Sequence, residues 1–427
     1  MPSSRIVAPV SVGLPAKVSV LQKADQWLFA PLCFLLTLMR RVCDVISPPR
    51  LVDPPRRILF VKLAEQGSTV LAVDAIRRAV ALVGREQVFF AVFEENRFIL
   101  DVLGLIPPEN VFTVSTRSLS GMALAALRLI RQMRLARVDT AIDLEFFARF
   151  SAALTYLSGA PRRAGLHPFG AGPYRGDLMT HRVPFNPQLH TSRLFDTITA
   201  SITYPPNSFP PFDFQPPATS PATPSFQPSA AETSAMEQLL LACAGEKRPR
   251  PLILLNPNAS DYIPLRRWPV ASYQALAQRI LAECPGACVA FTGLAAEAPA
   301  CETLARALNH PRAFSLAGKT SLRDLLTLYT LADILVTNDS GPAHFATLTP
   351  IHCITLFGPE TPALFAAISP RNHVLCAGIA CSPCVNAFNN RQSSCSNNIC
   401  MQQIPVEAVL RKIQTILAGL DPAPTRP

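Results

Sequence analysis

Residues 334–362 read ILVTNDSGPAHFATLTPIHCITLFGPETP. Two uncharged runs rich in β-branched residues, ILVT and HCITLF, flank a short segment that opens Asn-Asp-Ser-Gly-Pro. A continuous apolar run bounded by turn residues is the pattern of a strand buried on both faces of a parallel sheet. The polar cluster then reads as a strand-to-helix turn. Asp339 or Ser340 suits the helix N-cap, Gly341 permits an unusual dihedral, and Pro342 fits the first helical position. Open parallel sheets bind ligands beyond the carboxyl ends of their strands. A helix N-terminus there offers free N–H groups and a partial positive charge, which suits a diphosphate. His344, near this opening, has the chemistry to donate to a phosphate oxygen. The plainer alternative makes Asp339 a cap and His344 a satisfied core histidine, and spacing alone leaves both open.

The same alternation extends upstream. RRILFVKL (56–63) reads as a basic approach to a buried strand, and TVLAVDAIRRAVALV (69–83) has helical spacing of its apolar positions. QVFFAVF, NVFTVS and DTAIDLEF follow as strands, with a helical LAALRLIRQMRLA before the last. Strand and helix signals in alternation predict a parallel α/β sheet. Proline-rich sequence then intervenes from Tyr204 to Pro228, which suits an interdomain connection. From Pro251 the pattern resumes with LILLN, the helical SYQALAQRILAE, ACVAFTG, the helical CETLARAL and the stretch quoted above. The chain therefore divides into an N-terminal segment (1–54), a first α/β domain (55–204), a linker region (205–249) and a second α/β domain (250–427), with a cleft between the two domains.

With 427 residues, 49% hydrophobic and 16% charged, the chain has material for two cores and is not disordered in composition. Its formal net charge of +10 implies either solubility or affinity for phosphates and anionic lipid. No interleaving of aromatic and basic residues and no zinc-finger helix occurs, so nucleic acid is not an expected partner. Residues 27–39, WLFAPLCFLLTLM, are uncharged and lie between Lys23/Asp25 and Arg40/Arg41. Thirteen residues are too few to span a bilayer, which takes about 20. No small-residue cleavage site follows, so the run predicts an in-plane membrane anchor, with a helix packed on the body as the alternative.

Of the twelve cysteines, eight are scattered in apolar context, as reduced thiols packed like small hydrophobes would be. The other four, Cys381, Cys384, Cys395 and Cys400, form C-x2-C-x10-C-x4-C. Four thiolates with a close first pair suit tetrahedral zinc, although the second pair is wide. Packed reduced thiols or a labile disulfide remain the other readings. The tail PVEAVLRKIQTILAGL has helical periodicity, with Pro405 at its start.

LAGKTSLRDLLTLYTLADILVTNDSGPAHFAT followed by ITLFGPETP resembles the donor-domain signature of glycosyltransferase family 9, the heptosyltransferase-like enzymes of bacterial lipopolysaccharide assembly. Three further segments agree in order: RRILFVKLAEQGSTVLAVDAIRRA, VDTAIDLEFFARFSAALTYLSGAPRRAGL, and LILLNPNAS with PLRRWPVASYQALA. The resemblance spans most of the chain from Arg56 to about Pro370. It implies a GT-B architecture, with two Rossmann-like domains facing across a cleft. The C-terminal domain would hold a nucleotide-diphosphate sugar, and the N-terminal domain would face a lipid-linked saccharide acceptor. It further implies inverting transfer with no cofactor required for catalysis, at the cytoplasmic face of the inner membrane, and a terminal helix that crosses back to the first domain.

Glycosyl transfer needs a charge clamp for the leaving diphosphate and a base for the acceptor hydroxyl. Arg266 and Arg267 can grip phosphate oxygens bidentately, unless they form only a solvated basic turn. By resemblance, Gly67, Asn258, Lys319, Thr320, Asp339, Ser340, Gly341 and His344 complete the donor site, with Gly358 and Pro359 shaping the next strand-end loop. The first loop departs from the family pattern: Ser68 stands where the family has its expected catalytic Asp. A serine hydroxyl is a poor base near neutral pH without a partner. Glu65 is the nearest carboxylate in that loop and becomes the candidate base, while Asp74 falls inside the following helix. A degenerate homologue that binds nucleotide sugar without transferring it is the competing reading. A Rossmann oxidoreductase is set aside, because KLAEQGST carries one glycine where the dinucleotide fingerprint needs three.

Overall fold

The computed structural model describes residues 25–47, 51, 53–115, 119–170, 172–206, 224–260, 262–389 and 391–420. The first sheet comprises β1 (Ile58–Val61), β2 (Val88–Phe93), β3 (Val111–Val114), β4 (Thr140–Asp143), β5 (Arg162–His167) and β6 (His181–Pro184), in the order β3-β2-β1-β4-β5-β6. The second comprises β7 (Leu252–Asn256), β8 (Cys288–Phe291), β9 (Ala313–Ser315), β10 (Ile334–Asn338), β11 (His352–Phe357) and β12 (Asn372–Cys376), in the order β12-β11-β10-β7-β8-β9. Every pairing is parallel. Both sheets thus have one topology, in which the winding direction reverses between β1 and β4 and between β7 and β10. Such a reversal opens a crevice at the carboxyl ends of the two central strands. The fold is the pair of Rossmann-like domains expected from the sequence.

The central strands β1, β7 and β10 are buried at every position, which is why they read as unbroken apolar runs. One hydrophobic core passes from Ile58 and Phe60 of the first sheet through Val70, Ala343 and Phe345 to Leu254 of the second. The domains therefore meet on packed side chains. Phe146 stands edge-on to Phe365 at 6.0 Å, and Phe185 stands edge-on to Phe388 at 5.0 Å, each pair spanning the boundary.

Two elements differ from the sequence reading. The linker region contains a regular helix, Ala230–Ala244, opened by a Ser229/Glu232 capping box and buried through Met236 and Leu240. Residues 207–223 of the proline-rich stretch lie outside the described residues. The terminal helix Val406–Gly419 stays on its own domain: Val409, Leu410, Ile413 and Ile416 fill the groove along helix Val270–Glu283 and β11. The part of the tail that reaches the first domain is the loop carrying Phe388.

The N-terminal apolar run forms helix Phe29–Ile46, docked on helix Arg149–Leu157. Cys33 and Leu36 are buried there, Thr37 Oγ1 accepts the Asp177 N–H at 2.9 Å, and Arg40 pairs with Asp177 at 2.8 Å. Asp25 accepts the N–H groups of Arg149 and Phe150, each at 3.0 Å, and so caps the helix beneath. The opposite face leaves Leu28, Leu35, Leu38, Val42, Val45 and Ile46 exposed. Among the described residues no helix is long and apolar enough to cross a membrane.

Candidate functional site

At the carboxyl end of β1 the chain turns through residues 62–65. Glu145, just beyond β4, fixes that turn by accepting the N–H groups of Leu63 and Ala64 at 2.7 and 2.9 Å and pairing with the buried Lys62 at 3.2 Å. Glu65 caps the short helix Gln66–Val70 with a left-handed backbone, φ 67°. Gly67 then abuts the second domain, where a Cβ on it would lie 2.7 Å from His344 Cδ2. Ser68 is buried, and its hydroxyl donates to the Glu65 carbonyl at 2.9 Å, with the Glu65 carboxylate 3.5 Å away.

Across the cleft, Asn338 at the end of β10 is fully buried and knits three loops together. Its Oδ1 accepts the Trp268 N–H at 2.9 Å, and its Nδ2 donates to the Pro257 and Asn258 carbonyls at 3.2 and 3.0 Å. Asn258 donates in turn to the Thr292 carbonyl at 3.1 Å, so it ties the ends of β7 and β8. This bracing places the residue 264–268 loop beside Asp339. Arg266 turns inward, 3.3 Å from Glu360 and 3.7 Å from Asp339. Arg267 turns the other way, donating to the Ala259 carbonyl at 3.0 Å. The two guanidinium groups thus hold different partners.

Ser340 is the N-cap of helix Gly341–Ala346, but its side chain does not cap the helix; the Ser340 hydroxyl donates back to the Asn338 carbonyl at 3.1 Å. His344 is buried, and its Nδ1 has no hydrogen-bond partner among the described residues. Burial, with His190 and Arg266 nearby, lowers the His344 imidazole to about 4, so it is neutral at physiological pH. Burial pushes the Asp339 carboxyl up to about 8, Glu360 adding to the effect and Arg266 opposing it. Asp339 Oδ2 also lacks a hydrogen-bond partner among the described residues. A protonated carboxyl there can donate a hydrogen bond, and Arg266 can neutralise charge.

The loop after β11 brings a residue the sequence reading missed. Glu360 is 1% exposed and accepts two bonds from Arg391, Nε at 2.9 Å and Nη2 at 3.0 Å, besides its contact with Arg266. The remaining Arg391 nitrogen, Nη1, reaches across to Glu65. Desolvation would push the Glu65 carboxyl up, but Arg391, Lys62 and Arg266 outweigh it and hold the group at about 2. Glu360 had a visible signal, a charged residue at the end of a buried strand in a parallel sheet. Arg391 had none, lying in the aperiodic polar run NNRQSS.

Gly358 and Pro359 seat the cysteine-rich segment. A Cβ on Gly358 would strike Met401 and lie 3.0 Å from Cys400 Sγ, and the Pro359 carbonyl accepts the N–H groups of Cys384 and Val385 at 2.9 Å each. All twelve thiols are free. The Cys384 thiol contacts Ser393 Oγ at 3.2 Å and the Cys395 thiol contacts Asn397 at 3.5 Å. Among the described residues no group of three or more His, Cys, Asp or Glu is placed to hold a metal.

Of two cavities, only one borders these groups. One of about 970 Å³ lies between the domains, bordered by Asp74, Ser192, Phe226, His344, Thr347 and Arg371. Of the sequence-predicted donor residues only His344 borders it. Lys319 faces a separate depression of about 750 Å³ and approaches Cys243 at 3.7 Å, and none of Arg266, Asp339 and His344 lines that depression. Thr320 beside it is half-buried.

Comparison with known proteins bears on this arrangement. The sequence profile described as Glycosyltransferase family 9 (heptosyltransferase) matches residues 126–394. The chain is 34% identical over 148 residues to lipooligosaccharide heptosyltransferase 2 of Haemophilus influenzae, covering 34% of this chain and 41% of the relative. It is 33% identical over 129 residues to lipopolysaccharide heptosyltransferase 2 of Salmonella typhimurium, covering 30% of this chain and 36% of the relative. The chain thus aligns with less than half the length of these two relatives. In fold, it superposes on E. coli ADP-heptose LPS heptosyltransferase II with a TM-score of 0.65 at 20% identity, over 86% of this chain and 100% of the other. A Veillonella parvula family 9 glycosyl transferase gives 0.66 at 16% identity, over 87% and 100%.

Proposed function

The chain belongs to glycosyltransferase family 9, and from that premise we propose that it moves a sugar, heptose foremost, from a nucleotide-diphosphate sugar to a lipid-linked saccharide of bacterial lipopolysaccharide or surface-polysaccharide synthesis. The observation that carries this reading is the buried charge cluster of Arg266, Asp339 and Glu360 at the ends of β10 and β11, facing the first-domain loop of Glu65 to Ser68. In an open parallel sheet that is where ligands bind, and guanidinium groups in a dry site stabilise a leaving diphosphate.

The transfer is a single inverting displacement. The acceptor hydroxyl oxygen forms its bond to the anomeric carbon as the bond to the diphosphate oxygen breaks, and the hydroxyl proton passes to a carboxylate. Arg266 balances the charge on the departing diphosphate, so the step draws on side-chain charge and calls for no divalent metal. Glu65 is the acceptor-side carboxylate nearest Ser68. The acceptor is lipid-linked, and the exposed apolar face of helix Phe29–Ile46 supports peripheral docking on the cytoplasmic side of the inner membrane.

A second reading, a homologue that binds nucleotide sugar without transferring it, is favoured by one observation: Ser68 replaces the expected acid and Glu65 is held by Arg391. The test of the first reading is a thermal-shift screen of nucleoside diphosphates and nucleotide sugars. A ligand at a hundred times its dissociation constant stabilises the folded state by about 2.7 kcal/mol, enough to rank donors. No shift with any of them would refute donor binding.

A further inference from the structure

Arg391 is held on three sides. Glu360 takes Nε and Nη2, and the rings of Phe365 and Tyr262 lie 5.4 and 5.6 Å from its guanidinium carbon. Among the described residues only Nη1 has a first-domain partner, the Glu65 carboxylate. The two carboxylates differ in exposure: Glu360 is 1% exposed, whereas Glu65 is 41% exposed. Arg266 approaches the same Glu360 oxygen that Arg391 Nη2 holds, so two guanidinium groups share one buried carboxylate. Take Glu65 away and this cluster is left with surplus positive charge, because Asp339 is biased towards its protonated form. Both partners of the cross-domain pair also carry left-handed backbone, φ 67° at Glu65 and 56° at Arg391. Such conformations persist where the surroundings impose them and collect at ligand clamps and switch regions.

We propose that Glu65 and Arg391 form a latch across the cleft in which the Glu65 carboxylate stands in for the donor's diphosphate. Resting on the donor-binding reading above, the latch makes Arg391 a second diphosphate ligand beside Arg266. An incoming nucleoside diphosphate exchanges one anion for another on Arg391 Nη1. Glu65 is then released beside Ser68, no longer held by a guanidinium, and is available to take the acceptor's proton. The same pair thus explains how a carboxylate that is a weak base in the closed latch becomes a competent one when donor is bound.

The test is calorimetric titration of ADP, GDP and UDP into the full chain and into Glu65→Gln, Arg391→Gln and the double variant. Removing Glu65's charge removes the competing anion. If the latch is closed nine-tenths of the time, affinity for the preferred nucleotide rises by roughly tenfold. Arg391→Gln lowers it by roughly tenfold to a hundredfold, the scale of a lost charged hydrogen bond. In the double variant the gain from Glu65→Gln disappears, because there is no latch to open. If wild type binds a nucleoside diphosphate and Glu65→Gln binds it equally or more weakly, the latch is overturned while donor binding stands. If neither protein binds any of the three, both are overturned; binding by Glu65→Gln alone supports the latch. Should Arg391→Gln fail to fold, the exposed Glu65 position decides the question by itself.

Discussion

Gly67 and His344 meet across the domain boundary so closely that a Cβ on the glycine would lie 2.7 Å from the imidazole Cδ2 and 3.3 Å from Gly341 Cα. This contact sets how near the first-domain loop can come to the second-domain strand ends. Gly67→Ala should therefore push the loop away, with an overpacking cost of about 1–3 kcal/mol. Thermal unfolding and nucleotide titration measure the two effects, and wild-type values in both would show that the contact is not needed.

His344 makes stability depend on pH. Its folded-state imidazole sits at about 4 against an ordinary value of 6.5, so the unfolded chain binds the extra proton first as pH falls. The stabilisation is present above pH 6.5 and lost as pH falls from there to about 4. The difference amounts to roughly 3 kcal/mol. Urea midpoints at pH 7 and pH 4.5 should converge for His344→Gln far more than for wild type. An equal acid loss in both proteins would assign the effect elsewhere.

Arg266 is buried against two carboxylates, so truncation and replacement should differ. Arg266→Ala leaves Glu360 and Asp339 without that guanidinium and should destabilise by about 3–5 kcal/mol. Arg266→Lys keeps the charge but not the planar fork, and should fold while losing roughly tenfold or more in nucleoside diphosphate affinity. Wild-type affinity in Arg266→Lys would show that the fork is not used.

The outward face of helix Phe29–Ile46 predicts binding to vesicles of anionic lipid. Leu35→Glu and Val42→Glu together should abolish flotation with such vesicles while leaving stability within about 0.5 kcal/mol, because both positions are exposed. Deleting residues 1–50 is the harsher change, since it also removes the Asp25 cap and the buried Cys33 and Leu36. Flotation by the double variant at wild-type level would contradict docking through this face.

Elemental analysis addresses the thiols. With Cys381, Cys384, Cys395 and Cys400 placed as they are, the reduced protein should carry far less than one zinc per chain. One full equivalent would mean that residues 381–400 adopt another arrangement.

The central strands were legible because burial on both faces leaves a continuous apolar run, as in ILFV and ILVTN. Strands β5, β6, β9 and β12 were not. β5 begins Arg162-Arg163, and Arg163 is buried with its guanidinium donating to the Leu178 and Ala160 carbonyls, each at 2.7 Å, and lying over the Tyr156 ring. No periodicity announces a buried arginine satisfied by backbone. The site divides in the same way. Asp339, His344, Gly67 and Arg266 lie at strand-end turns that sequence chemistry marks. Glu360 and Arg391 acquire their roles from contacts between distant loops, and the Glu65 pairing spans 326 positions. Lys319 and Thr320 follow a strand-end turn as well, yet that turn opens on Cys243 and another depression. Local pattern marks where a loop begins, and tertiary packing decides which cavity it faces.

Acceptor-dependent release of nucleoside diphosphate from a panel of nucleotide sugars, ADP-heptose included, is the decisive measurement. The acceptor is a lipid-linked core saccharide fraction that lacks heptose, and Arg266→Lys and Glu65→Gln are run in parallel. Wild-type protein should consume one donor only when acceptor is present, with turnover reduced roughly 10²–10⁴-fold in Glu65→Gln, the usual contribution of a positioned base. Folded wild-type protein that binds donors yet transfers none would contradict the transferase and leave the binding homologue in its place.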